Sequence, residues 1–248
     1  MPFKSDKVKY GLPHKGYPVD TVVENEKRLM NLIHLDKEPV AITLLFDEKE
    51  FAEYPAEEMK AKTAYCVMVK LAATAGKGVK TTLKNHACDG ATTALALEPS
   101  TDEIETGRTY FSYDLYSSTA VARRLRSGIK SLHRTGTHTY GVAIVPLSQC
   151  KKTPDVIISV CNPWQVMRML QGYEYFTGVK PEIDMGAMQA MCSEATVVPY
   201  LTGDINVSVM CPSTRMLCKW EETDMIIGIP YELFEMTVDG VECTVPEY

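Results

Sequence analysis

Two cysteine pairs divide this chain into halves that read alike. Cys66 and Cys88 are 22 positions apart (88 − 66), and Cys192 and Cys211 are 19 apart (211 − 192). In each pair a helix-like run carries the first cysteine, over residues 65–70 and 191–195. A glycine turn follows, at Gly76 to Gly78 and at Gly203, and a β-rich run then delivers the second cysteine. The echo extends to residues 107–116, which read like 228–235. A chain that repeats this order predicts an α/β (or α+β) fold of two similar halves, an internal duplication sharing one core. A pseudo-twofold between them would bring four cysteines toward one axis.

The chemistry of four converging thiols depends on the compartment. The first seven residues, Met1 to Lys7, hold no apolar signal-peptide core, and no stretch reaches the ~18 apolar residues of a membrane helix. The expectation is a cytoplasmic protein with no membrane partner. In a reducing compartment the eight cysteines point away from disulfides and toward metal binding or catalysis. The plain alternative is packing, since a buried thiol behaves as a small apolar group. Cys150, Cys161, Cys218 and Cys243 are read that way. A net charge of −6 lacks the basic face that nucleic-acid binding needs, so no nucleic acid is expected.

Along the chain, residues 1–38 read as an N-terminal arm and a helix. The arm, 1–18, is broken by Pro2, Gly11, Pro13, Gly16 and Pro18 and would lie over the surface or over a second copy in a homodimer. The helix starts at Asp20, with Val22, Val23, Glu26, Leu29, Met30 and Ile33 on one stripe. Residues 39–126 form the first α/β half. Val40 to Phe46 is a nearly continuous apolar strand, central in its sheet. Ala61 to Ala75 is a buried helix, Lys80 to Asn85 a strand, and Asp89 opens a helix straight after Cys88. Free backbone N–H groups at such a junction stabilise a thiolate.

Residues 127–139 read as the linker, inside a wider polar stretch with the basic run Arg123, Arg124, Arg126, Lys130 and Arg134. A run like this is a solvated face before it is an anion clamp. Residues 140–248 form the second half. Two strands come first, then a helix opened by Asn162-Pro163, a loop over 178–186, a helix carrying Cys192 and ended by Pro199, and a strand into Cys211.

Cys66, Cys88, Cys192 and Cys211 are the candidate ligands. None lies in a C-x2-C motif, so the repeat carries the argument. Soft thiolates select zinc, Cu(I) or iron–sulfur, and inert packing stands beside that reading. His86, two before Cys88, would share its face in a strand and reach the site as ligand or proton donor; the alternative is a core or surface histidine. Asp89 is a helix cap before it is an acid. Arg215, four beyond Cys211, would grip a substrate carboxylate bidentately or make a structural pair. Tyr110, Tyr113 and Tyr116 would line a pocket or pack. No nucleotide P-loop, G-x-G-x-x-G, H-E-x-x-H or G-x-S-x-G is present.

Taken together, Pro39-Val40-Ala41-Ile42, Cys88-Asp89-Gly90-Ala91, Pro154 to Ile158, Asn162-Pro163-Trp164-Gln165, Cys192, Cys211 to Arg215 and Ile227 to Pro230 resemble a prokaryotic family, domain of unknown function 169. The resemblance runs from about Val22 to about Glu235. It implies a first site at Cys88, Gly90 and Ala91 and a second at Cys211, Ser213 and Arg215, with Thr214 interposed. It implies Cys88, Cys192 and Cys211 as the firmer ligand set, with Cys66 a candidate fourth. The family is common among anaerobes, which suits an oxygen-labile cluster.

The expectation is an iron–sulfur protein, 4Fe-4S before other clusters and with zinc as the alternative cofactor. It would be an oxidoreductase or lyase acting on a small anionic organic substrate, or meeting an electron-transfer partner. The competing class is a non-catalytic metal-, cofactor- or small-molecule-binding module.

Overall fold

The computed structural model describes residues 19–244; the arm expected over 1–18 lies outside them. Among the described residues eleven α-helices, one π-helix and seven strands follow in chain order. The first half holds α1 (Val19–Ile33), β1 (Val40–Leu45), α2 (Glu48–Glu53), β2 (Glu57–Glu58), α3 (Tyr65–Ala75), β3 (Val79–Thr82), α4 (Asp89–Ala94), α5 (Asp102–Glu105), α6 (Arg108–Ser112) and α7 (Thr119–Gly128). The second holds β4 (Gly141–Pro146), β5 (Val156–Cys161), α8 (Pro163–Thr177), the π-helix Ala190–Val197, α9 (Val198–Thr202), β6 (Asn206–Ser208), α10 (Pro212–Cys218), β7 (Met225–Pro230) and α11 (Tyr231–Cys243).

The strands form one sheet in the order β2-β3-β4-β1-β5-β7-β6. All pairs are antiparallel except β2–β3. The apolar run of β1 puts it in the middle, with all six residues buried. Alternation along the strands splits the core into two layers. Val40, Ile42, Ile144, Ile158 and Ile226 face the layer of α3, α4 and the π-helix. Ala41, Leu45, Val145, Ile157 and Ile229 face the layer of α1, α8 and α11. Helices thus cover both faces of an α/β core.

Read outward from the β1–β5 pair, the sheet has the same order on each side. β1 is followed by β4 and β3, and β5 by β7 and β6. The register agrees. Val40 at the start of β1 faces Pro146 at the end of β4, and Val156 at the start of β5 faces Pro230 at the end of β7. Val79 of β3 then faces Ile144, and Asn206 of β6 faces Gly228, each two residues before the proline. The echo of 107–116 in 228–235 is not kept. Gly107 caps α6 with a left-handed backbone, whereas Gly228 lies inside β7.

Local signals explain most boundaries. Asn162 and Gln165 form a reciprocal capping box with Pro163 at the first turn, so α8 starts where the sequence indicates. Gly76 ends α3 in the left-handed region. Two features differ from expectation. Pro199 does not end the Cys192 helix; it sits in the first turn of α9, where its missing N–H is tolerated. The stretch 127–139 is folded: Leu132 is fully buried and the Ser131 hydroxyl donates to the Thr93 carbonyl.

Candidate thiol centre

Five of the eight cysteines gather on one face of the sheet. Cys66, Cys192, Cys211 and Cys218 belong to the core layer of α3 and the π-helix, and Cys88 packs against it half-buried. Cys150 and Cys161 lie in the opposite layer, and Cys243 is exposed at the end of α11. Burial pushes the Cys150 thiol up to about 11 and the Cys161 thiol higher still, so both stay as inert thiols.

The positions of the four candidates correspond across the two halves. Cys66 sits in the first turn of α3, between β1 and β3, and Cys192 sits in the π-helix, between β5 and β6. Cys88 is the N-cap of α4 just after β3, and Cys211 the N-cap of α10 just after β6. Three of the four thus lie at helix N-termini, where unpaired N–H groups favour negative sulfur.

The thiols lie within electrostatic reach of one another. Burial first, and then Cys88, Cys211 and Cys66, push the Cys192 thiol well up. Burial also raises Cys88, against hydrogen bonds from the Ala91 and Gly90 amides, with Cys66 and Cys211 adding to the rise. Cys66 behaves oppositely. A hydrogen bond from the Cys218 thiol, helped by the Thr214 hydroxyl and the Val67 amide, outweighs burial and lowers it to about 7. Thr214 also lies 3.0 Å from Cys211 Sγ, so one hydroxyl serves two cysteines. Among the described residues no three His, Cys, Asp or Glu side chains are gathered so that they could hold a metal ion.

The backbone around the thiols departs from ordinary geometry. Gln189, which caps the π-helix, and Met210, which precedes Cys211, both take positive φ, 54° and 70°. Left-handed non-glycine residues and π-helices both concentrate at functional sites. Glu194 holds the π-helix in place. Its carboxylate accepts from the Gly186 amide at 2.8 Å and from the Ser208 hydroxyl at 2.5 Å, tying the helix to β6. Gly228 lets the π-helix press onto β7, since a Cβ there would stand 2.8 Å from the Ala195 carbonyl carbon.

The family model for DUF169, described as an uncharacterised ArCR, matches residues 28–240. This chain belongs to the DUF169 family. It is similar to the uncharacterized protein MJ0308 of Methanocaldococcus jannaschii, 24% identical over 225 residues, 90% of this chain and 95% of the relative. No solved structure matches.

The other expected site residues of this DUF169 chain fall as follows. His86 is buried, stacks on Tyr65 with ring centroids 6.5 Å apart, and has no hydrogen-bond partner at either ring nitrogen. Burial lowers its pKa to about 4, so the ring is neutral near pH 7. Tyr65 in turn lies 2.9 Å from Thr196 of the π-helix. Arg215 closes a loop, with Nη1 donating to the Glu221 carbonyl and Nη2 to those of Val209 and Asp224, each at 2.8 Å. A substrate carboxylate would have to break these bonds.

Asp89 is exposed inside the first turn of α4. Tyr110 and Tyr116 sense the thiols. Burial raises both phenols, with Cys192 and Cys88 adding at Tyr110 and Cys211 at Tyr116. Tyr113 is exposed. Within the basic run, Arg123, Arg124 and Lys130 are exposed, but Arg126 is wholly buried.

Two residues of this neighbourhood are absent from the sequence-based candidates. Cys218 follows Cys211 by seven positions, two turns along one helix face, and that spacing was legible. Gln189 carries no sequence signal, because nothing in composition foretells a left-handed cap.

Proposed function

We propose that Cys66, Cys88, Cys192 and Cys211 hold an iron–sulfur cluster, 4Fe-4S before other types. The chain would then act as an oxidoreductase or lyase on a small anionic organic substrate in anaerobic metabolism, in the cytoplasm. The observation that carries this reading is the convergence of four sequence-distant thiols at corresponding places of the two sheet halves, three of them at helix N-termini. An internal duplication accounts for that correspondence.

An all-thiolate donor set suits a cluster or zinc alike, and zinc is the alternative cofactor of this reading. When bound, a cluster supplies one-electron transfer, or an open iron that polarises a substrate oxygen. The chain's own part is to bury the centre, orient the thiols with Thr214 and the α4 amides, and hold a neutral proton donor nearby at Tyr110. His86 lies at one remove, behind Tyr65, as a neutral ring that could pass a proton on only after taking one up. A homodimer is part of the same proposal.

The test is anaerobic purification followed by iron, zinc and acid-labile sulfide analysis with a visible spectrum. Equal iron and sulfide with an air-labile broad absorption is the expected result. A colourless protein with eight free thiols refutes it. A second reading, a binding module with packed thiols, draws on the membership of Cys66, Cys192, Cys211 and Cys218 in the apolar core. It predicts that second result.

A further inference from the structure

Helix α8 is apolar on two opposite faces, and one of them is covered. Inward, Val166, Met169 and Tyr173 share a core layer with Phe234, Val238 and Val241 of α11. The two helices lie close: a Cβ at Gly172 would stand 2.7 Å from the Val241 amide nitrogen. The capping box at Asn162 and the left-handed Gly178 fix the two ends of α8. Outward, Trp164, Met167, Gln171 and Tyr175 are spaced three, four and four apart, so they line one stripe. Trp164 is 45% exposed, Met167 39% and Tyr175 55%. Phe176, 43% exposed, extends the patch, since its ring meets that of Tyr175 edge-on with centroids 4.9 Å apart.

Charge is nearly absent from the outer face. Of the two charged residues in α8, Arg168 is buried and donates to the Thr244 and Val241 carbonyls, which leaves Glu174 exposed. An anionic membrane is met by Lys and Arg beside the apolar stripe, and α8 presents none there. Trp, Tyr, Phe and Met gathered at one place are the composition of a protein interface core. Three aromatics about half exposed offer on the order of 300 Å² per copy. With Met167, Gln171 and Glu174 the face comes near the roughly 600 Å² per partner of the smallest specific dimers. The stripe also complements itself. Turned antiparallel about a twofold axis at residues 169–170, Trp164 meets Tyr175 of the partner subunit, and Met167 and Gln171 cross near the axis. The two Glu174 side chains then stand about 14 Å apart along the helices, beyond the ~8–10 Å over which exposed charges interact. A parallel pair would set Glu174 against its twin.

We propose that a second copy of this chain covers the outer face of α8, the two helices packing antiparallel with Trp164 of each against Tyr175 of the other. The contact is isologous, so it closes as a dimer and does not extend into a fibre. It rests on the homodimer of the reading above and names its surface, while standing or falling apart from the cluster.

The test is sedimentation equilibrium of the metal-free, full-length chain across the micromolar range. Wild type should be a dimer. Trp164→Glu and Tyr175→Lys should each raise the dissociation constant about thirtyfold or more, as loss of a buried aromatic anchor does. Mixed one to one, the two variants should dimerise again. The mixed pair sets the new carboxylate against the new ammonium and keeps one Trp164–Tyr175 contact. Far-UV circular dichroism of each variant should match wild type, since both side chains are exposed in the single chain. If either variant fails to fold, Met167→Glu carries the test, with the same loss of dimer expected. A monomeric wild type overturns the proposal. So does a dimer that survives Trp164→Glu or Met167→Glu, which would place the interface elsewhere. Failure of the mixture to pair overturns the antiparallel contact. A wild-type monomer that floats with phosphatidylcholine vesicles, and ceases to in Trp164→Glu, also overturns the proposal and assigns the face to a lipid surface. None of these results depends on bound iron, so each leaves the cluster reading to its own test.

Discussion

Replacing Gly228 by alanine tests how the Cys192 helix is seated. Gly228 pairs with Ile158 on one side and Asn206 on the other, in the interior of β7. A methyl group there would come well inside contact distance of the Ala195 carbonyl oxygen. It would also stand 2.8 Å from both the Ala195 carbonyl carbon and Pro199 Cγ. The first obstacle is backbone, so no rotamer change relieves it; the π-helix must lift or β7 must bend. Overpacking of this kind costs about 1–3 kcal/mol, and a backbone clash belongs at the upper end. At about 3 kcal/mol, with 2–4 °C lost per kcal/mol in a chain of this size, Tm should fall by about 6–12 °C. Urea unfolding should show a lower midpoint at unchanged slope. Gly136→Ala is the comparison: that glycine, unlike Gly228, takes positive φ, 79°, but no atom lies within 4 Å of the place its methyl would occupy, so only a backbone cost of about 1–2 kcal/mol applies. Cys192 lies one turn before Ala195, so Gly228→Ala should also lower iron uptake, and Gly136→Ala should not. A Gly228→Ala protein as stable as Gly136→Ala would refute the close seating of the π-helix on β7.

Three further outcomes follow from the same geometry. Asp155 accepts a hydrogen bond from the Leu44 amide at 2.7 Å, yet burial raises its pKa to about 6. The folded state therefore holds this proton more tightly than the unfolded one. Its contribution to stability is present below about pH 4 and is lost as pH rises through about 6. Asp155→Asn should be more stable than wild type by about 1–3 kcal/mol at pH 8 and level with it near pH 4, read by urea unfolding at both pH values; equal stability at pH 8 contradicts this. Arg215→Ala should cost about 2–4 kcal/mol, because three carbonyl bonds are lost at once; a melt unchanged from wild type would return Arg215 to the role of substrate clamp. Cys218→Ala removes the thiol that favours ionised Cys66, so alkylation of Cys66 in metal-free protein should slow several-fold at pH 7. An unchanged rate would show that Thr214 and the backbone suffice.

Much of the layout was legible because it follows from local chemistry. The unbroken apolar run of β1 marks a strand buried on both faces, and the Asn162-Pro163 signal fixes the start of α8. The placement of Cys88 at a strand-to-helix junction follows from the change of period beside it, whereas Cys211 read only as the end of a strand and caps a helix in the fold. What stayed hidden depends on long-range packing. A π-helix has the same apolar content as an α-helix, so residues 187–198 read as one α-helix although Gln189 begins a wider turn. The inward turn of Arg126 is set by Glu105, 21 residues away, while its neighbours Arg123 and Arg124 obey the solvated-face rule. Arg215 spends its donors on carbonyls that only the folded loop brings near. The mirror order of the sheet needed the register, because the halves share position rather than sequence.

The most direct test of the thiol centre is iron stoichiometry in single cysteine variants reconstituted without oxygen. Cys88→Ser, Cys192→Ser and Cys211→Ser should each lose most of the bound iron, Cys66→Ser should lose it or convert the cluster to a smaller type, and Cys161→Ser should keep it all. Full iron in any of the Cys88, Cys192 or Cys211 variants, or equal loss in Cys161→Ser, would contradict the account.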